Sequence, residues 1–566
     1  MIEFGKWTPS LGDFEAPGNV SDVDGMYPMT RGYEPWHSYQ TARPDLVESA
    51  NNAICIYGSA SPQIAMTVAS KRYFYNLVQT ATSVWFTSNA ATGVVLATFT
   101  NSGGNHLLRT SATVNLLNMQ KSNAIVVTHS VSNNGTLTCN HGMGNSYSTG
   151  TFMTKVYLSA TVVSEYIAGG IDVSSAFDAD ERGWSMDQFK GYVLVANRNC
   201  FPSACSPMTL GISALKRFRD LAAPFKAGVI GTIGEFVVCG DLIEDDLDNQ
   251  TRNKIWWSAI GTPFDWAVDS ATQCGNAILP GGSGEVRGIV SGEYGLILCA
   301  NEIYRMLYVG LPTIFQITVA FRNIGVLCKH SWAQHRDMLF MATSTGFKMI
   351  IDGSVVHDIG KEDGIDDFFK DDLDPAQIGC IHCAVDGEST RVFWSYQSNR
   401  AGITWQDRIL CYDWRLQKWS KRTDNDQSLV ANIIYSDVIT SGQPRIGIVD
   451  NTNSVILAQT ATAFSSNENY VLETAEYEHN NGQRTFLKGI RPVYTGYSTS
   501  TPSVGVYHRD RFGAEPTITA PGAMNRLGEI PTRVNSRYMK YRINFEKKNF
   551  KNVLGIQVKA SPGGTQ

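Results

Sequence analysis

The segment Gly234-Glu-Phe-Val-Val-Cys-Gly240 is a turn followed by a short apolar strand, and the same pattern recurs along the chain. Five other segments share it: Gly191-Tyr-Val-Leu-Val-Ala-Asn197, Tyr294-Gly-Leu-Ile-Leu-Cys-Ala300, Asp337-Met-Leu-Phe-Met-Ala-Thr343, Arg391-Val-Phe-Trp-Ser-Tyr396 and Arg445-Ile-Gly-Ile-Val-Asp450. Their first residues are spaced by roughly 43 to 60 positions, the period of a propeller blade of about four strands. The repeat predicts a mainly β chain built around a β-propeller, with ordinary β-sandwiches as the alternative.

Changes in composition predict four regions. Residues 1–50 are rich in Pro, Gly, Asp and Tyr and predict an extended N-terminal arm, while 51–80 and 165–465 predict the propeller. Residues 81–164 contain no Asp or Glu and predict a β insertion, with disorder as the alternative. Residues 466–566 predict a basic, β-sandwich-like C-terminal domain, because Met539, Tyr541 and Ile543 alternate with Tyr538, Lys540 and Arg542.

Charge is distributed unevenly along the 566 residues. The chain has a net charge of −5, but residues 484–559 hold fourteen Lys or Arg against four acids. That segment therefore has a net charge of +10, and the remaining residues have −15. The basic segment predicts contact with a negatively charged partner, either DNA or an acidic ring of neighbouring subunits, and a solvated sheet face is the alternative. Our candidate contacts are Arg537, Lys540, Arg542, Lys547 and Lys548.

The sequence contains no strong catalytic or cofactor motif. A phosphate-binding loop, a His-Glu-x-x-His pair and a Gly-x-Ser-x-Gly elbow are all missing. We therefore predict no enzyme activity, no catalytic residue, no cofactor and no metal. No apolar run approaches the roughly 20 residues of a membrane span, which predicts a product made in the cytoplasm.

Four local features invite a chemical interpretation. The acidic segments 241–248 and 363–374 are interpreted as solvated loops, with a calcium site or a carboxylate pair as alternatives. Cys380-Ile-His382-Cys383 is interpreted as a core strand and not as a zinc site, and Gly281-Gly-Ser-Gly284 as a turn between blades. Trp257 and Trp414 each lie in an apolar strand before a turn, so both are predicted to lie in the core.

A family resemblance is carried by segments from about residue 190 onward. They are Lys254-Ile-Trp-Trp-Ser-Ala-Ile-Gly-Thr-Pro-Phe-Asp-Trp266, Glu285-Val-Arg-Gly-Ile289, Tyr294-Gly-Leu-Ile-Leu298, Glu302-Ile-Tyr304, Ile324-Gly-Val-Leu327, Arg408-Ile-Leu-Cys-Tyr-Asp-Trp414 and residues 484–492 and 537–542. With these segments the chain resembles the tail hub or nozzle proteins of short-tailed bacteriophages. The acid-free insertion has no counterpart in that pattern.

The resemblance implies a structural virion protein of the phage tail, assembled in the host cytoplasm. It implies a homo-oligomer, a hexameric ring below the portal and adaptor proteins and in contact with tail fibres or spikes. Such a ring encloses the exit channel for double-stranded DNA and retains packaged DNA until ejection. The alternatives are a carbohydrate-binding or carbohydrate-active β-propeller and a receptor-binding tail component, and glycan binding or hydrolysis would separate them from a nozzle.

Overall fold

A computed structural model describes most of the chain outside the predicted insertion. Side chains are described for residues 1–11, 18–36, 183–204, 220–244, 251–292, 294–423, 470–480, 483–496, 502–545 and 550–563, with residue 521 excepted. Between residues 39 and 172 and between 433 and 458 the structure describes the backbone of strands. The fold is mainly β, with 57% strand and 5% helix.

The strands follow one another with short connections. Before residue 50 they are β1 (Ile2–Glu3), β2 (Val20–Asp24), β3 (Met26–Pro28), β4 (Tyr33–Pro35) and β5 (Tyr39–Arg43). Up to residue 180 they are β6 (Asn52–Ile56), β7 (Gln63–Val68), β8 (Lys71–Asn76), β9 (Ser83–Ala90), β10 (Gly93–Ser102), β11 (Asn105–Thr110), β12 (Ala124–Val127), β13 (Gly135–Thr138) and β14 (Ile171–Asp172).

The central part of the chain holds the next twelve strands. They are β15 (Ser185–Phe189), β16 (Tyr192–Asn197), β17 (Cys200–Cys205), β18 (Arg219–Asp220), β19 (Lys226–Ile233), β20 (Phe236–Ile243), β21 (Gln250–Trp257), β22 (Gly275–Ile278), β23 (Val286–Val290), β24 (Tyr294–Cys299), β25 (Ile303–Gly310) and β26 (Ile314–Phe321).

The remaining elements include one short α-helix. They are β27 (Trp332–His335), β28 (Met338–Thr343), β29 (Gly346–Ile351), β30 (Val355–Asp358), α1 (Ile365–Asp372), β31 (His382–Asp386), β32 (Arg391–Tyr396), β33 (Arg408–Asp413), β34 (Lys418–Thr423), β35 (Ile433–Thr440), β36 (Gln443–Val449) and β37 (Val455–Ala458). The last strands are β38 (Tyr470–Thr474), β39 (Tyr477–Glu478), β40 (Thr485–Thr495), β41 (Ser503–Arg509), β42 (Thr517–Gly522), β43 (Ile530–Ser536), β44 (Tyr538–Phe545) and β45 (Asn552–Pro562).

Antiparallel groups of four strands recur along the chain, and they are the blades of a β-propeller. In the part that the structure describes, these groups are β6-β7-β8-β14, β15 to β18, β19 to β22, β23 to β26, β27 to β30, β31 to β34 and β35-β36-β37-β5. The predicted repeat is therefore confirmed. Each of its six segments contains the second strand of a group, which lies between two neighbours and is nearly all buried where side chains are described. A strand covered on both faces reads as a continuous apolar run.

Contacts divide the chain into two compact units. Unit 1 comprises Met1–Gln40, Ser331–Val430 and Ala458–Gln566, and unit 2 comprises Thr41–His330 and Ala431–Leu457. Within unit 2 the first strands of successive blades are neighbours: β35 lies beside β6, β6 beside β15, β15 beside β19 and β19 beside β23. Two glycines permit this close packing, because a Cβ at Gly240 or Gly295 would lie 2.6 Å from Val286 Cγ1 or 2.1 Å from Ile233 Cδ1.

The first blade contains an additional piece of β structure. Between β8 and β14 the chain forms a three-stranded sheet, β11-β10-β9, and the hairpin β12-β13. These strands fall within the predicted insertion, residues 81–164. The side chains of that region, and the reason for its lack of acids, lie outside the described residues.

The first fifty residues differ from the predicted extended arm. β1 and β4 both pair with β45, and β2 lies between β34 and β38. Trp7 and Trp36 are completely buried, and the indole of Trp7 donates a hydrogen bond to the Ser21 carbonyl at 3.2 Å. Burial of these large rings within unit 1 explains why the segment forms sheet strands despite its many turn residues.

The last hundred residues form two sheets within unit 1. One has the order β3-β4-β45-β40-β43, with β1 also paired to β45, and the other contains β2-β38-β44-β41-β42. The alternation predicted along β44 is confirmed, because Met539, Tyr541 and Ile543 are buried and the residues between them are partly exposed. An aromatic contact of 5.6 Å between Tyr494 and Phe545 joins the sheets, and the sandwich-like arrangement remains a prediction.

The two tryptophans predicted for the core have different environments. Trp257 is buried between the third and fourth blades and donates to the Gln273 carbonyl at 2.9 Å, as predicted. Trp414 is only half-buried, with its ring 5.1 Å from that of Phe340, so its prediction is wrong. Trp414 lies beyond the end of β33, in the turn, while the buried indole of this hairpin is that of Trp419.

Candidate functional site

The first acidic segment begins inside a strand, so its interpretation as a solvated loop is wrong for Asp241. Asp241 lies in β20 and its side chain is only 1% exposed. Arg252 Nε, Lys329 Nζ and Arg198 Nε lie 3.2, 3.6 and 3.9 Å from its carboxylate oxygens. Residues 245–249, including Asp245, lie outside the described residues. Asp241 is therefore the centre of a buried ion cluster.

Local backbone geometry positions Asp241 for this role. Its φ is 57°, and the pairing of β20 with β21 shifts between Gly240 and Leu242, which marks a bulge. On the neighbouring strand, Gly228 provides the necessary space, because a Cβ there would lie 2.3 Å from Asp241 Oδ2. The bulge and the glycine together allow a carboxylate to enter the sheet and meet the cations.

The second acidic segment is also not a loop, because most of it is α1; Asp363 and Asp366 make internal contacts, whereas Asp367 and Asp371 are exposed. The Asp363 carboxylate lies 3.3 Å from Lys6 Nζ, and burial raises the pKa of Asp363 against the opposing charge of Lys6. Asp366 accepts the backbone N–H of Phe347 at 2.9 Å. These carboxylates connect α1 and the loop before it to neighbouring strands, which is a structural role.

Asp372, at the end of α1, makes a separate set of internal contacts. It accepts hydrogen bonds from Arg408 Nε at 2.9 Å and from the Tyr396 hydroxyl at 2.8 Å. The oxygens of the Asp372 carboxylate are thus already engaged by a guanidinium and a phenol of the same unit. The helix is therefore tied by its final turn to β32 and β33.

The sulfur and imidazole groups near residue 380 do not form one strand. Cys380 ends the 3-10 helix Pro375–Cys380 and is half-buried, whereas His382 and Cys383 lie in β31. The His382 ring nitrogen Nδ1 lies 3.0 Å from the Cys380 carbonyl oxygen. Among the described residues no group of three or more His, Cys, Asp or Glu could hold a metal ion. The prediction of a core strand holds for His382 but not for Cys380.

The glycine-rich segment lies between two blades. Residues Gly281–Ser283 form one turn of 3-10 helix between β22 and β23, and Gly284 has a φ of 74°. The interpretation of this segment as a turn between blades is confirmed.

The predicted contact residues on and beside β44 divide into three groups. Arg537 is exposed and lies directly before β44. Lys540 Nζ and Arg542 Nη1 lie 2.8 and 3.6 Å from the Glu473 carboxylate on the neighbouring strand β38. Lys547 and Lys548 lie outside the described residues. Two of the five predicted cations are thus partly neutralised by an internal acid.

A different surface of the same region holds five cations, four of them without a described acidic partner. Arg533 on β43, Lys488 and Arg491 on β40, and Arg526 in the loop before β43 are exposed, and no described carboxylate forms an ion pair with them. Lys559 on β45 lies on this surface and pairs with Glu529. We name these five residues the basic face.

Strand pairing shows how the basic face is assembled. Gly489 is opposite Pro531 on β43 and opposite Lys559 on β45, and Arg491 is opposite Gln557. The burial of β43 alternates so that Pro531, Arg533 and Asn535 are exposed and the residues between them are buried. Directly paired residues share a face of a sheet. The cations of β43, β40 and β45 therefore project from one side of three adjacent strands.

The loop between β42 and β43 adds to the basic face. Asn525 Oδ1 accepts the backbone N–H groups of Leu527 and Glu529 at 2.9 and 3.0 Å, which holds the loop in a compact turn. Gly528 lies beside Arg491, because a Cβ there would be 3.8 Å from the Arg491 Nε. Leu527 is 74% exposed at the loop's tip.

A polar group of another kind joins three blades in unit 2. The Asp187 carboxylate on β15 accepts a hydrogen bond from Thr232 Oγ1 on β19 at 2.9 Å, and the Ser291 hydroxyl beyond β23 lies 3.5 Å away. The two hydroxyls are 3.0 Å apart. Burial raises the pKa of Asp187 to about 6, although the backbone N–H of Gln188 and the hydroxyls favour its charged form.

Sequence reasoning missed both the Asp241 cluster and the basic face. The signal for Asp241 was that the apolar run of β20 continues on both sides of it, through Val238 and Leu242. The signal for the basic face was the alternation in Ile530-Pro-Thr-Arg-Val-Asn-Ser536, which is as regular as that of β44. The partners of each strand could not be read from these patterns.

Comparisons with known proteins identify no family. No family model matches the chain, and no curated protein does. The designed Ika8 protein is 8% identical, with 74% of this chain and 99% of that chain covered, at a TM-score of 0.34. The Nup159 N-terminal domain is 10% identical, with 77% of this chain and 98% of that chain covered, at a TM-score of 0.32. BamB from Moraxella catarrhalis is 9% identical, with 78% of this chain and 95% of that chain covered, at a TM-score of 0.29. These likenesses carry no functional argument, and the resemblance to tail nozzle proteins stays a prediction.

Proposed function

We propose that the chain is a non-enzymatic structural subunit of a tail hub or nozzle ring in a short-tailed phage. In this proposal six copies surround the exit channel for double-stranded DNA, contact portal or adaptor proteins and tail fibres or spikes, and retain the DNA until ejection. The observation that carries the proposal is the basic face, an exposed group of cations on a protein whose net charge is negative. A surface of this kind suits contact with a polyanion or an acidic neighbour.

The state of the carboxylates supports a structural role over a catalytic one. Asp241, Asp363 and Asp372 are each held by a lysine or arginine of the same unit. A general acid or base must reach a substrate proton, whereas these groups connect strands and loops to one another. The same residues that suggested acid–base chemistry in the sequence therefore stiffen the scaffold.

The pairing of distant segments also suits a conduit that must resist force. β1 pairs with β45, with Ile2 opposite Ile556, and β5 is an outer strand of the sheet that contains β35, β36 and β37. Pulling either segment away would require several backbone hydrogen bonds to break together. Among the described residues, no helix is long and apolar enough to cross a bilayer.

Electron microscopy of the purified protein, with the ring order determined by native mass spectrometry, tests the proposal. We expect a closed six-fold ring with a central opening, and no hydrolysis of cell-surface glycans. A monomer that binds or cleaves glycans would contradict the proposal and favour the carbohydrate-directed alternative. A monomer that binds a host receptor through the insertion would favour a receptor-binding component.

A further inference from the structure

The cations of the basic face are arranged across neighbouring strands and not along one of them. Arg533, Lys488 and Lys559 lie on β43, β40 and β45, which are adjacent in the sheet. Neighbouring strands are about 4.8 Å apart, and alternate residues along a strand are about 7 Å apart. The charges of one DNA strand follow one another at about 3.4 Å along the helix axis, so long Lys and Arg side chains at these spacings can reach several phosphates of one backbone.

The residues between these cations also suit phosphate contact. Asn535 and Gln557 are exposed on the same side and can donate hydrogen bonds. Phosphate oxygens are typically bound by Arg, Lys, Asn, Gln and backbone N–H groups. The amides thus extend the set of donors beyond the charged side chains.

The composition argues against an acidic protein as the occupant. Cores of protein interfaces are enriched in aromatic residues and depleted in lysine. On this side the ring of Phe486, opposite Asn535, is only partly exposed, and Leu527 in the adjoining loop is strongly exposed, whereas most other exposed side chains described on the face are charged or polar. The acids nearby are Glu529, which pairs with Lys559, and Glu3 on β1.

We infer that the basic face binds the phosphate backbone of double-stranded DNA without sequence preference, through Lys488, Arg491, Arg526 and Arg533. This inference rests on the proposed function for the identity of the polyanion, and it assigns the contact to β40 and β43 instead of β44. Asn535 and Gln557 donate further hydrogen bonds to the backbone. Bases are not read, because a flat sheet face carries no element that enters a groove.

The number of cations sets the expected salt dependence. Each phosphate neutralised on duplex DNA contributes about −0.9 to the slope of log K against log salt. Four contacts therefore give a slope of about −3.6, and affinity falls about 100-fold between 50 and 200 mM salt. A single subunit would bind weakly enough to release DNA, whereas several copies around one duplex would retain it together.

Fluorescence anisotropy with two 30-base-pair duplexes of unrelated sequence tests the inference on the full chain. The variant carries Lys488→Gln, Arg491→Gln, Arg526→Gln and Arg533→Gln together. We expect equal affinity for both duplexes in the unchanged protein and at least tenfold weaker binding in the variant at 50 mM salt. The slope against salt should become shallower by about 3.6.

A matched control variant distinguishes a local binding site from an effect of the protein's total charge. Arg336→Gln, Lys361→Gln, Lys370→Gln and Arg415→Gln remove the same charge from other exposed positions of unit 1 that form no described ion pair. We expect this control to keep both affinity and slope. Equal losses in the two variants, or no loss in the face variant, would overturn the inference.

Two further measurements keep the outcomes distinct. Poly-glutamate that competes as well as DNA at equal charge would show that the face binds an acidic protein and would overturn the inference. A six-fold ring that forms normally but does not bind DNA would contradict this inference and leave the proposed function intact. Loss of the ring with DNA binding retained would contradict the proposed function alone.

Discussion

Individual charged residues within the blades determine much of how those blades are joined. Asp241 brings together cations from β21, from the turn after β16 and from the segment after β26. Asp187 connects β15, β19 and the residue after β23 through hydroxyl groups. Both carboxylates contact residues from strands that are distant in sequence. They differ in the charge of the groups around them. Asp241 has three nearby cations, whereas the described partners of Asp187 are neutral donors.

Replacing Asp241 should destabilise the protein although it was first interpreted as part of a solvated loop. We expect Asp241→Asn to lower the free energy of unfolding by about 2 kcal/mol, because Arg198 and Lys329 lose the charge of a buried carboxylate, whereas Arg252 keeps Glu285. The control Glu235→Gln removes an exposed ion pair with Lys190 and should cost less than about 1 kcal/mol. Urea unfolding measures both, and equal values would show that the cluster contributes nothing beyond a surface pair.

Replacing Asp187 should change how stability depends on pH. The pKa of Asp187 is raised to about 6 in the folded chain, so the folded state retains a proton that the unfolded chain releases near pH 4. The resulting stabilisation is present below pH 4 and is lost as the pH rises to about 6. Asp187→Asn has no titrating carboxyl at this position, so its stability should not fall with pH for this reason.

The measurement is the difference in unfolding free energy between Asp187→Asn and the unchanged protein. From pH 4 to pH 7 we expect this difference to move by up to about 3 kcal/mol in favour of the variant. Asp269→Asn, in an exposed loop, is the control and should show no such trend. A flat difference for Asp187→Asn would mean that its carboxyl titrates normally in the folded chain.

At the scale of elements, the hairpin of β33 and β34 shows how position within a blade determines the role of a side chain. Trp419 is fully buried, stacks on Trp394 at 5.6 Å and donates to the Ile359 carbonyl at 2.8 Å. Trp414, five residues earlier, lies at the turn and is half-buried. One residue type in one hairpin therefore has two environments.

Truncation of these two indoles should have unequal costs. We expect Trp419→Ala to cost about 3 to 5 kcal/mol, because it leaves a cavity and an unpaired Ile359 carbonyl, and Trp414→Ala to cost about half as much. Thermal and urea unfolding provide the comparison. Trp419→Phe, which retains most of the ring volume, replaces the alanine variant if that protein does not fold. A larger loss for Trp414→Ala would reverse the assignment of the core indole.

At the scale of the whole molecule, the first 43 residues take part in several sheets. β1, β3 and β4 belong to the sheet of β45, β2 lies beside β38, and β5 is an outer strand of the sheet that begins with β35. Segments far apart in the sequence must therefore meet before these sheets are complete. Folding of the C-terminal strands is coupled to the earliest part of the chain.

A chain that begins at residue 44 should lose cooperative unfolding, because two sheets of unit 1 lose strands and Trp7 and Trp36 leave its core. A synthetic peptide of residues 1–43, added during refolding, should restore the transition seen by circular dichroism. The same peptide with Trp7→Ala and Trp36→Ala should restore less of it. A truncated chain with unchanged unfolding would show that the N-terminal strands are dispensable.

The sequence by itself determined the blade repeat, the alternation of β44 and the charge difference between the C-terminal segment and the rest. These properties depend on local periodicity, because a strand buried on both faces must be apolar throughout and a half-buried strand must alternate. Only the tertiary structure decided that Asp241 is buried and that five segments between Ile2 and Arg43 form sheet strands. It also decided that Lys540 and Arg542 face Glu473, while Arg533 and Lys488 have no described acidic partner. The physical reason is that burial and ion pairing depend on which distant strand becomes the neighbour. That choice is made by the packing of the whole sheet and leaves no periodic pattern within any one segment.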